Sequence, residues 1–82
     1  MRFADKVEFL GRRWQASCTS WGRTAKRNAV VGGASNSRHK DWLGADLVPD
    51  DDENKAALMA DARALGLWVL DEGDHVHVQE PR

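Results

Sequence analysis

The chain has 82 residues, with 12 basic and 13 acidic side chains and a formal net charge of −1. This length predicts one compact domain over residues 1–82, with a thin core. The balanced charge argues against a nucleic-acid-binding module, and no stretch approaches the ~20 apolar residues of a membrane span. Cys18 is the only cysteine, so a disulfide within the chain is excluded, and we expect Cys18 to be a buried small residue of a strand.

The first predicted element is an amphipathic helix over residues 2–13. Phe3, Val7 and Leu10 recur at helical spacing and share one face, and Gly11 is predicted to mark the end of the helix. Residues 14–20 alternate apolar and polar side chains and predict a strand. The N-terminus lacks the unbroken apolar run of a secretory signal, so we expect synthesis in the cytosol.

The next segment, residues 21–38, is a long basic connection rich in glycine and small polar residues. Connections of this length are uncommon in compact domains unless they are functional or disordered. Residues 11–40 contain seven basic side chains and no acid. A basic patch beside a more acidic C-terminal half suits an anionic small ligand, such as a peptide with a free carboxylate.

The C-terminal half predicts a strand, a helix and a hairpin. A strand is expected over residues 43–48 and a helix over 52–65, which is capped by the acids that follow Pro49 and is stopped by Gly66. A buried strand over 67–70, a turn and a final strand over 75–79 complete the chain. The order of elements predicts an α+β fold in which a small antiparallel sheet packs against helices.

Three polar side chains in this half are unusual for their positions. His75 and His77 lie two residues apart in a predicted strand, so both project from one face, opposite Val76 and Val78. Asp46 interrupts an otherwise apolar strand, and a buried carboxylate must be paired or bound to a metal. The alternative places Asp46 on the solvent face of an edge strand. Carboxylate and imidazole groups are zinc ligands, and a catalytic zinc site uses three protein ligands and one water.

The segment that leads into Asp46 resembles a known family. Ser37, His39 and Asp46 match the pattern Ser-x-His followed by an aspartate seven residues after the histidine. This pattern is similar to that of the zinc D-Ala-D-Ala carboxypeptidase family, which includes D-Ala-D-Ala dipeptidases and phage L-Ala-D-Glu endopeptidases. The resemblance implies a zinc-dependent peptidase acting on peptidoglycan peptides, with Zn2+ held on the sheet face by His39, Asp46 and His77.

Two further matches extend the resemblance over residues 17–79. Asp74 lies three residues before His77, as the family's catalytic acid precedes its last ligand, and Ser20 and Arg23 match a Ser-x-x-Arg step. By resemblance, Asp74 would be the catalytic acid–base group, and Arg23 would bind the substrate. Such an enzyme, made in the cytosol, would have to be released to the cell wall, as phage lysis and virion-associated enzymes are.

Several alternatives stay open. Ser37 would contact the substrate or serve only as a turn residue, and His75 would stabilise the oxyanion or support a ligand. Glu72 with His75 forms a second acid-x-x-His pair in a shifted register. Trp42 stands where the family has glycine, and it could narrow the site. The same ligands would also suit a zinc-stabilised, non-catalytic wall-binding or virion structural module, because metal binding can stabilise a thin core.

Overall fold

The structure is a computed structural model and describes residues 1–22 and 42–81. These residues form helices α1 (Phe3–Trp14) and α2 (Lys55–Ala64) and strands β1 (Ala16–Ser20), β2 (Gly44–Pro49), β3 (Trp68–Asp71) and β4 (Val76–Gln79). The four strands form one antiparallel sheet in the order β1-β2-β4-β3. The predicted α+β class is therefore confirmed. None of the helices in the described ranges has the length and apolar character that crossing a membrane requires.

The hydrophobic core lies between the two helices and one face of the sheet. Its fully buried large side chains come from α1, α2 and the two central strands, and they are Leu10, Leu47, Leu58, Val76 and Val78. The predicted face of α1 is confirmed, because Phe3 and Val7 are buried together with Leu10. Since side chains alternate along a strand, the residues between Val76 and Val78 must point to the opposite sheet face.

Helix α1 continues beyond its predicted end at Gly11. It runs to Trp14, and Gln15 closes it with a left-handed backbone conformation at φ 49°. Gly11 has a packing role instead, because a Cβ atom at this position would lie 3.1 Å from the carbonyl oxygen of Ala16. The Trp14 indole Nε1 donates to Asp61 Oδ2 at 2.9 Å and ties α1 to α2. The strand predicted from residue 14 therefore begins only at Ala16.

The prediction of a buried Cys18 was wrong. Strand β1 lies at an edge of the sheet, and Cys18 is exposed there. Partial desolvation, with a smaller contribution from the charge of Asp46, raises the pKa of the Cys18 thiol. A raised pKa keeps the thiol protonated at neutral pH, which disfavours a nucleophilic role.

The strand predicted over residues 67–70 is present as Trp68–Asp71, but its predicted burial was wrong. Leu67 is buried, but β3 forms the other edge of the sheet, and Trp68 and Leu70 are 48% and 43% exposed. An edge strand has one neighbour, so its outward side chains are covered only from one side. Both large apolar side chains therefore lie on an accessible surface.

Helix α2 begins differently from the prediction and ends as predicted. A short 3-10 helix, Asp52–Asn54, precedes it, and neither Asp51 nor Asn54 makes a side-chain cap hydrogen bond at the N-cap positions. Asp51 therefore occupies an N-cap position without the expected capping hydrogen bond, while Asp52 and Glu53 place the expected negative charge in the first turn. Gly66 follows the helix with a φ of 82°, a conformation that favours glycine and stops the helix.

The first residue of α2 holds the β3–β4 turn. Lys55 Nζ lies 2.6 Å from Asp71 Oδ1 and donates to the Gly73 carbonyl oxygen at 2.9 Å. Asp71 Oδ1 also accepts the Gly73 backbone N–H at 2.9 Å. These bonds fix the turn from which β4 emerges, and they confirm the predicted hairpin. The turn thus sets the position of His75 and His77.

Asp71 predicts an acid-dependent loss of stability. The hydrogen bond from Lys55, the Gly73 N–H and the Lys55 charge lower the pKa of Asp71, so the folded chain binds fewer protons at this site than the unfolded chain. The contribution is present above the unfolded pKa of about 3.9 and is lost as pH falls through the lower folded value. Asp71→Asn should therefore lower the urea midpoint at about pH 6 and converge with the wild type once the pH lies below the lowered folded pKa of Asp71. Asp50→Asn, at an exposed position after β2, is the matched control; equal midpoints of wild type and Asp71→Asn at neutral pH would contradict the role of the turn.

Candidate metal centre

Asp46 and His77 face each other on the two central strands. Asp46 lies on β2 and His77 on β4, and the register of the antiparallel pair places them directly opposite. His77 Nδ1 lies 3.0 Å from Asp46 Oδ1, and only 11% and 17% of the two side chains are exposed. The alternative in which Asp46 lies on the solvent face of an edge strand was therefore wrong, because its strand is central and its carboxylate is mostly buried.

Both ring nitrogens of His77 face oxygen acceptors. Nδ1 faces the Asp46 carboxylate, and Nε2 lies 2.7 Å from the Gln79 side-chain oxygen. A neutral imidazole has one N–H and can serve only one of these acceptors. A second proton on the ring, or a cation bound between Nδ1 and the carboxylate, would satisfy both acceptors. Burial lowers the pKa of His77, but hydrogen bonds to Asp46 and Gln79 and the Asp46 charge outweigh burial and raise it overall.

This arrangement fits a metal ion. Asp46 and His77 supply one carboxylate oxygen and one imidazole nitrogen on the same side of the sheet, and both are ligand types of zinc. With Nδ1 as the metal-binding atom, the Nε2–H would donate to Gln79, an arrangement that fixes the tautomer and orientation of a ligand histidine. The chemistry of the donor pair is thus that of part of a zinc site.

His75 lies beside this pair and is surrounded by carboxylates. Its Nδ1 lies 2.6 Å from Asp74 Oδ1, and its Nε2 lies 3.9 Å from Asp46 Oδ1 and 3.8 Å from Glu72 Oε2. His75 is therefore farther from Asp46 than His77 is. Polar contacts run without a break from Asp74 through His75 and Asp46 to His77.

The two candidate acids both contact His75. The side chain of Asp74 is 90% exposed, and its carboxylate holds the Nδ1 side of the ring. The side chain of Glu72 is 41% exposed and faces Nε2. Asp74 contacts His75, which in turn lies 3.9 Å from Asp46, so this link of Asp74 to the Asp46–His77 pair is indirect.

Three predicted site residues, Arg23, Ser37 and His39, fall outside the described ranges. Within residues 1–22 and 42–81, no group of three or more His, Cys, Asp or Glu side chains is arranged to hold a metal ion. The described structure thus brings together two of the three predicted ligands, Asp46 and His77, along with Asp74 and His75.

Gln79 and Trp68 were missed as neighbours of the site. Gln79 lies two residues after His77 on the same strand face, which is a signal that the sequence does contain. Trp68, which lies in the strand that was predicted to be buried, packs edge-on to the His77 ring, with centroids 6.1 Å apart. This contact depends on the β3–β4 pairing, in which Trp68 lies opposite Gln79 and Leu70 opposite His77.

Trp42, which the sequence suggested could narrow the site, contacts Trp21. The Trp21 indole Nε1 donates to the Trp42 carbonyl oxygen at 3.1 Å, and the Trp21 ring packs edge-on against Phe3. The Trp42 side chain is 62% exposed, and its residue has a positive φ of 61°. Glycine adopts this backbone conformation more easily than tryptophan, which agrees with the glycine found at this position in the family pattern.

The fold and the paired side chains define a small α+β protein with a mostly buried carboxylate–imidazole pair on the sheet face opposite the hydrophobic core. A comparison with protein-family models matches the model described as Peptidase M15 over residues 3–79. The chain therefore belongs to the peptidase M15 family. Membership makes it a metallopeptidase hydrolase of a family that is zinc-dependent in general. Searches of curated proteins and of solved structures gave no match.

Gln79 is expected to tune metal affinity through His77. Gln79→Leu removes the acceptor at Nε2 and leaves a mostly buried N–H without its partner, so the zinc affinity should fall by about 10- to 100-fold. Gln79→Glu keeps an acceptor at the same place and should retain zinc binding. Competition with a chromogenic chelator measures both affinities, and circular dichroism checks the fold. Equal zinc affinity of Gln79→Leu and wild type would show that this hydrogen bond does not orient the ligand.

Proposed function

We propose that the protein is a zinc-dependent peptidase that hydrolyses peptidoglycan stem peptides. The observation that carries the proposal is the mostly buried pair of Asp46 and His77, whose facing atoms are 3.0 Å apart. A carboxylate is seldom placed on a central strand without a cation, because its burial is unfavourable unless it is paired or bound to a metal. Family membership supplies the reaction class, which is metal-dependent hydrolysis of a peptide bond.

The proposed ligands are His39, Asp46 and His77. When bound, zinc supplies a water of lowered pKa and a positive charge for the carbonyl oxygen. Gln79 keeps the His77 ring oriented by accepting its Nε2–H. Asp46 and His77 come from neighbouring strands in fixed register, so their relative position is set by the backbone of the sheet and not by a loop.

Asp74 and His75 are proposed to handle the proton and the developing charge. The Asp74 carboxylate accepts a proton from the attacking water and passes it to the leaving amine, which is the task of a general acid–base group. Asp74 also holds His75 at Nδ1, which leaves His75 Nε2 directed toward the Asp46 side of the site. Because Nδ1–H donates to Asp74, only a doubly protonated ring carries an N–H at Nε2 as well, and that N–H would stabilise the oxyanion.

Two proposed substrate contacts lie in the segment that precedes β2. Arg23 would pair with a substrate carboxylate, because a guanidinium fork matches carboxylate geometry. Ser37 would hydrogen-bond the substrate near His39. The same proposal includes release of the protein to the cell wall, as in phage lysis or on a virion. The bond that it hydrolyses would be a D-Ala-D-Ala or an L-Ala-D-Glu bond.

A second function is a zinc-stabilised wall-binding or virion structural module without activity. One observation favours it: Asp74 is 90% exposed and reaches the metal pair through His75. A water-filled position is less suited to proton transfer than a protected one. The same zinc ligands would then serve stability alone.

Zinc content and hydrolysis separate these two functions. The wild type should bind one zinc ion per chain and cleave stem peptides in a manner that a chelator abolishes. Asp74→Asn should keep zinc and fold and lose turnover by about 10²- to 10⁴-fold, because it removes the proton acceptor and keeps the size of the side chain. Asp51→Asn, an exposed position remote in sequence, is the matched control. Cleavage by Asp74→Asn at the wild-type rate would exclude Asp74 as the acid–base group.

Substitution of a proposed ligand is expected to cause loss of zinc. Asp46→Asn and His77→Ala should each release zinc, which elemental analysis of the purified protein measures. Zinc bound without any cleavage would favour the structural module. A wild-type protein that is folded and contains no zinc after dialysis against zinc would contradict both functions.

A further inference from the structure

Strand β3 has an open edge whose outward backbone groups can be assigned. The Glu72 N–H donates to the His75 carbonyl oxygen at 3.0 Å, so these two residues form a hydrogen-bonded pair of the β3–β4 ladder. Hydrogen-bonded pairs alternate with pairs that are not hydrogen-bonded, so Leu70 also bonds to β4. Val69 and Asp71 therefore direct their N–H and C=O groups away from β4, toward the open edge.

This edge has few of the features that keep other strands away. Natural edge strands are protected by a bulge, a proline or an outward lysine. The sequence of β3, Trp68–Asp71, contains neither proline nor lysine, and its pairing with β4 follows one uninterrupted register. The other edge strand, β1, is irregular between Cys18 and Ser20. The backbone groups of the β3 edge are thus more open to a further strand than those of β1.

One register of two β3 strands satisfies all of these outward groups. A two-fold axis at Leu70 sets Val69 of each copy opposite Asp71 of the other, and both pairs are then hydrogen-bonded. An axis at Val69 would set Asp71 opposite Leu67, whose N–H already donates to the Ala62 carbonyl oxygen. An axis at Asp71 would set two carboxylates directly opposite each other, which is destabilising. The backbone therefore favours the axis at Leu70.

The same register brings the exposed apolar side chains of two copies together. Leu70 would lie directly opposite Leu70 of the second copy, with Cβ atoms about 4.5–5.5 Å apart. Trp68 would lie diagonally across from that leucine, at a distance that an aromatic side chain spans. In the single chain the two residues are 48% and 43% exposed, Trp68 the more so. Pairing would remove much of this apolar surface from water.

The helix side of the edge has complementary charges. A cavity of about 410 Å³ lies beside α2, with Ala56 and Met59 in its wall and with Asp52 and Arg63 among its charged residues. Asp52 begins the short 3-10 helix, and Arg63 lies in the last turn of α2. A two-fold axis reverses the direction of the second helix, so Arg63 of each copy is on the Asp52 side of the other. The charges along this surface are therefore complementary to those of a second copy.

We propose that the β3 edge pairs two copies of the chain, whose sheets then form one continuous antiparallel sheet. The axis passes between the two Leu70 residues and is perpendicular to the sheet, so both proposed catalytic centres lie on the same face. Trp68 of each copy would lie opposite Glu72 of the other, beside His75, and would border the second centre. This dimer does not depend on the proposed peptidase activity.

Association is measured first by analytical ultracentrifugation of the purified chain. We expect a reversible dimer with a dissociation constant on the order of 10 to 100 μM, since the interface is at the small end of specific interfaces. Amide hydrogen exchange is then measured by NMR well below and well above this concentration. The N–H groups of Val69 and Asp71 should gain protection at high concentration, whereas that of Leu70, bonded to β4, should be protected at both.

A charge exchange at the axis tests the register. Leu70→Lys and Leu70→Glu should each weaken association about tenfold or more, because each places like charges opposite each other in place of an apolar pair. An equimolar mixture of the two variants should form a heterodimer more readily than either forms a homodimer. Ser17→Lys, which adds the same charge on the exposed outer side of β1, is the matched control and should associate as the wild type does. Circular dichroism checks the fold of all three variants.

Each result supports or overturns the dimer. A single-chain mass at all concentrations up to about tenfold above the expected dissociation constant overturns it. A dimer that Leu70→Lys leaves intact, or a mixture of the two variants that associates no better than each alone, places the interface elsewhere and also overturns it. Protection of Val69 and Asp71 by an added extended peptide, and not by concentration, would name a peptide as the occupant of the edge and would contradict the second copy.

Discussion

The structure depends on one constraint, the placement of the Asp46 carboxylate on a central strand. Removing a carboxylate from water is unfavourable unless a partner compensates for the lost hydration. Here His77 is that partner and faces Asp46 across the β2–β4 pair. A slip of one residue in this register would turn His77 inward and Val76 and Val78 outward, because strand side chains alternate between faces. The packing of the core and the geometry of the site are therefore set by the same pairing.

This pairing also orders the polar side chains into a line. Gln79, His77, Asp46, His75 and Asp74 follow one another through contacts between 2.6 and 3.9 Å. The middle of the line is sheltered and held by backbone pairing, whereas its Asp74 end is exposed on a turn. A site with one fixed end and one accessible end suits chemistry in which the ligand set stays rigid and a proton must reach solvent.

Local patterns in the sequence were sufficient to predict several features of the structure. The apolar face of α1, the stop at Gly66 and the two histidines on one face of the last strand each follow from the spacing of neighbouring residues. The errors arose where the answer depends on strand order. Cys18 and Trp68 have strand-like, apolar character, but both lie on edge strands, and no local pattern reports which strands are at the edges. Gly11 was wrongly predicted to mark the end of α1. Its role is to allow close packing against Ala16 of β1, a contact that no local pattern reports.

The order of the strands has a consequence for the time at which the site forms. Strand β4 is the last strand in the described chain, yet it lies in the interior of the sheet, between β2 and β3. During synthesis β3 has no partner until β4 has left the ribosome, and Asp46 has no His77. Contacts between residues distant in the chain form late, since the intervening chain must first be closed into a loop. Nascent chains that stop before β4 would therefore carry neither the complete four-stranded sheet nor the Asp46–His77 pair, so the pair can form only after residues 76–79 have left the ribosome.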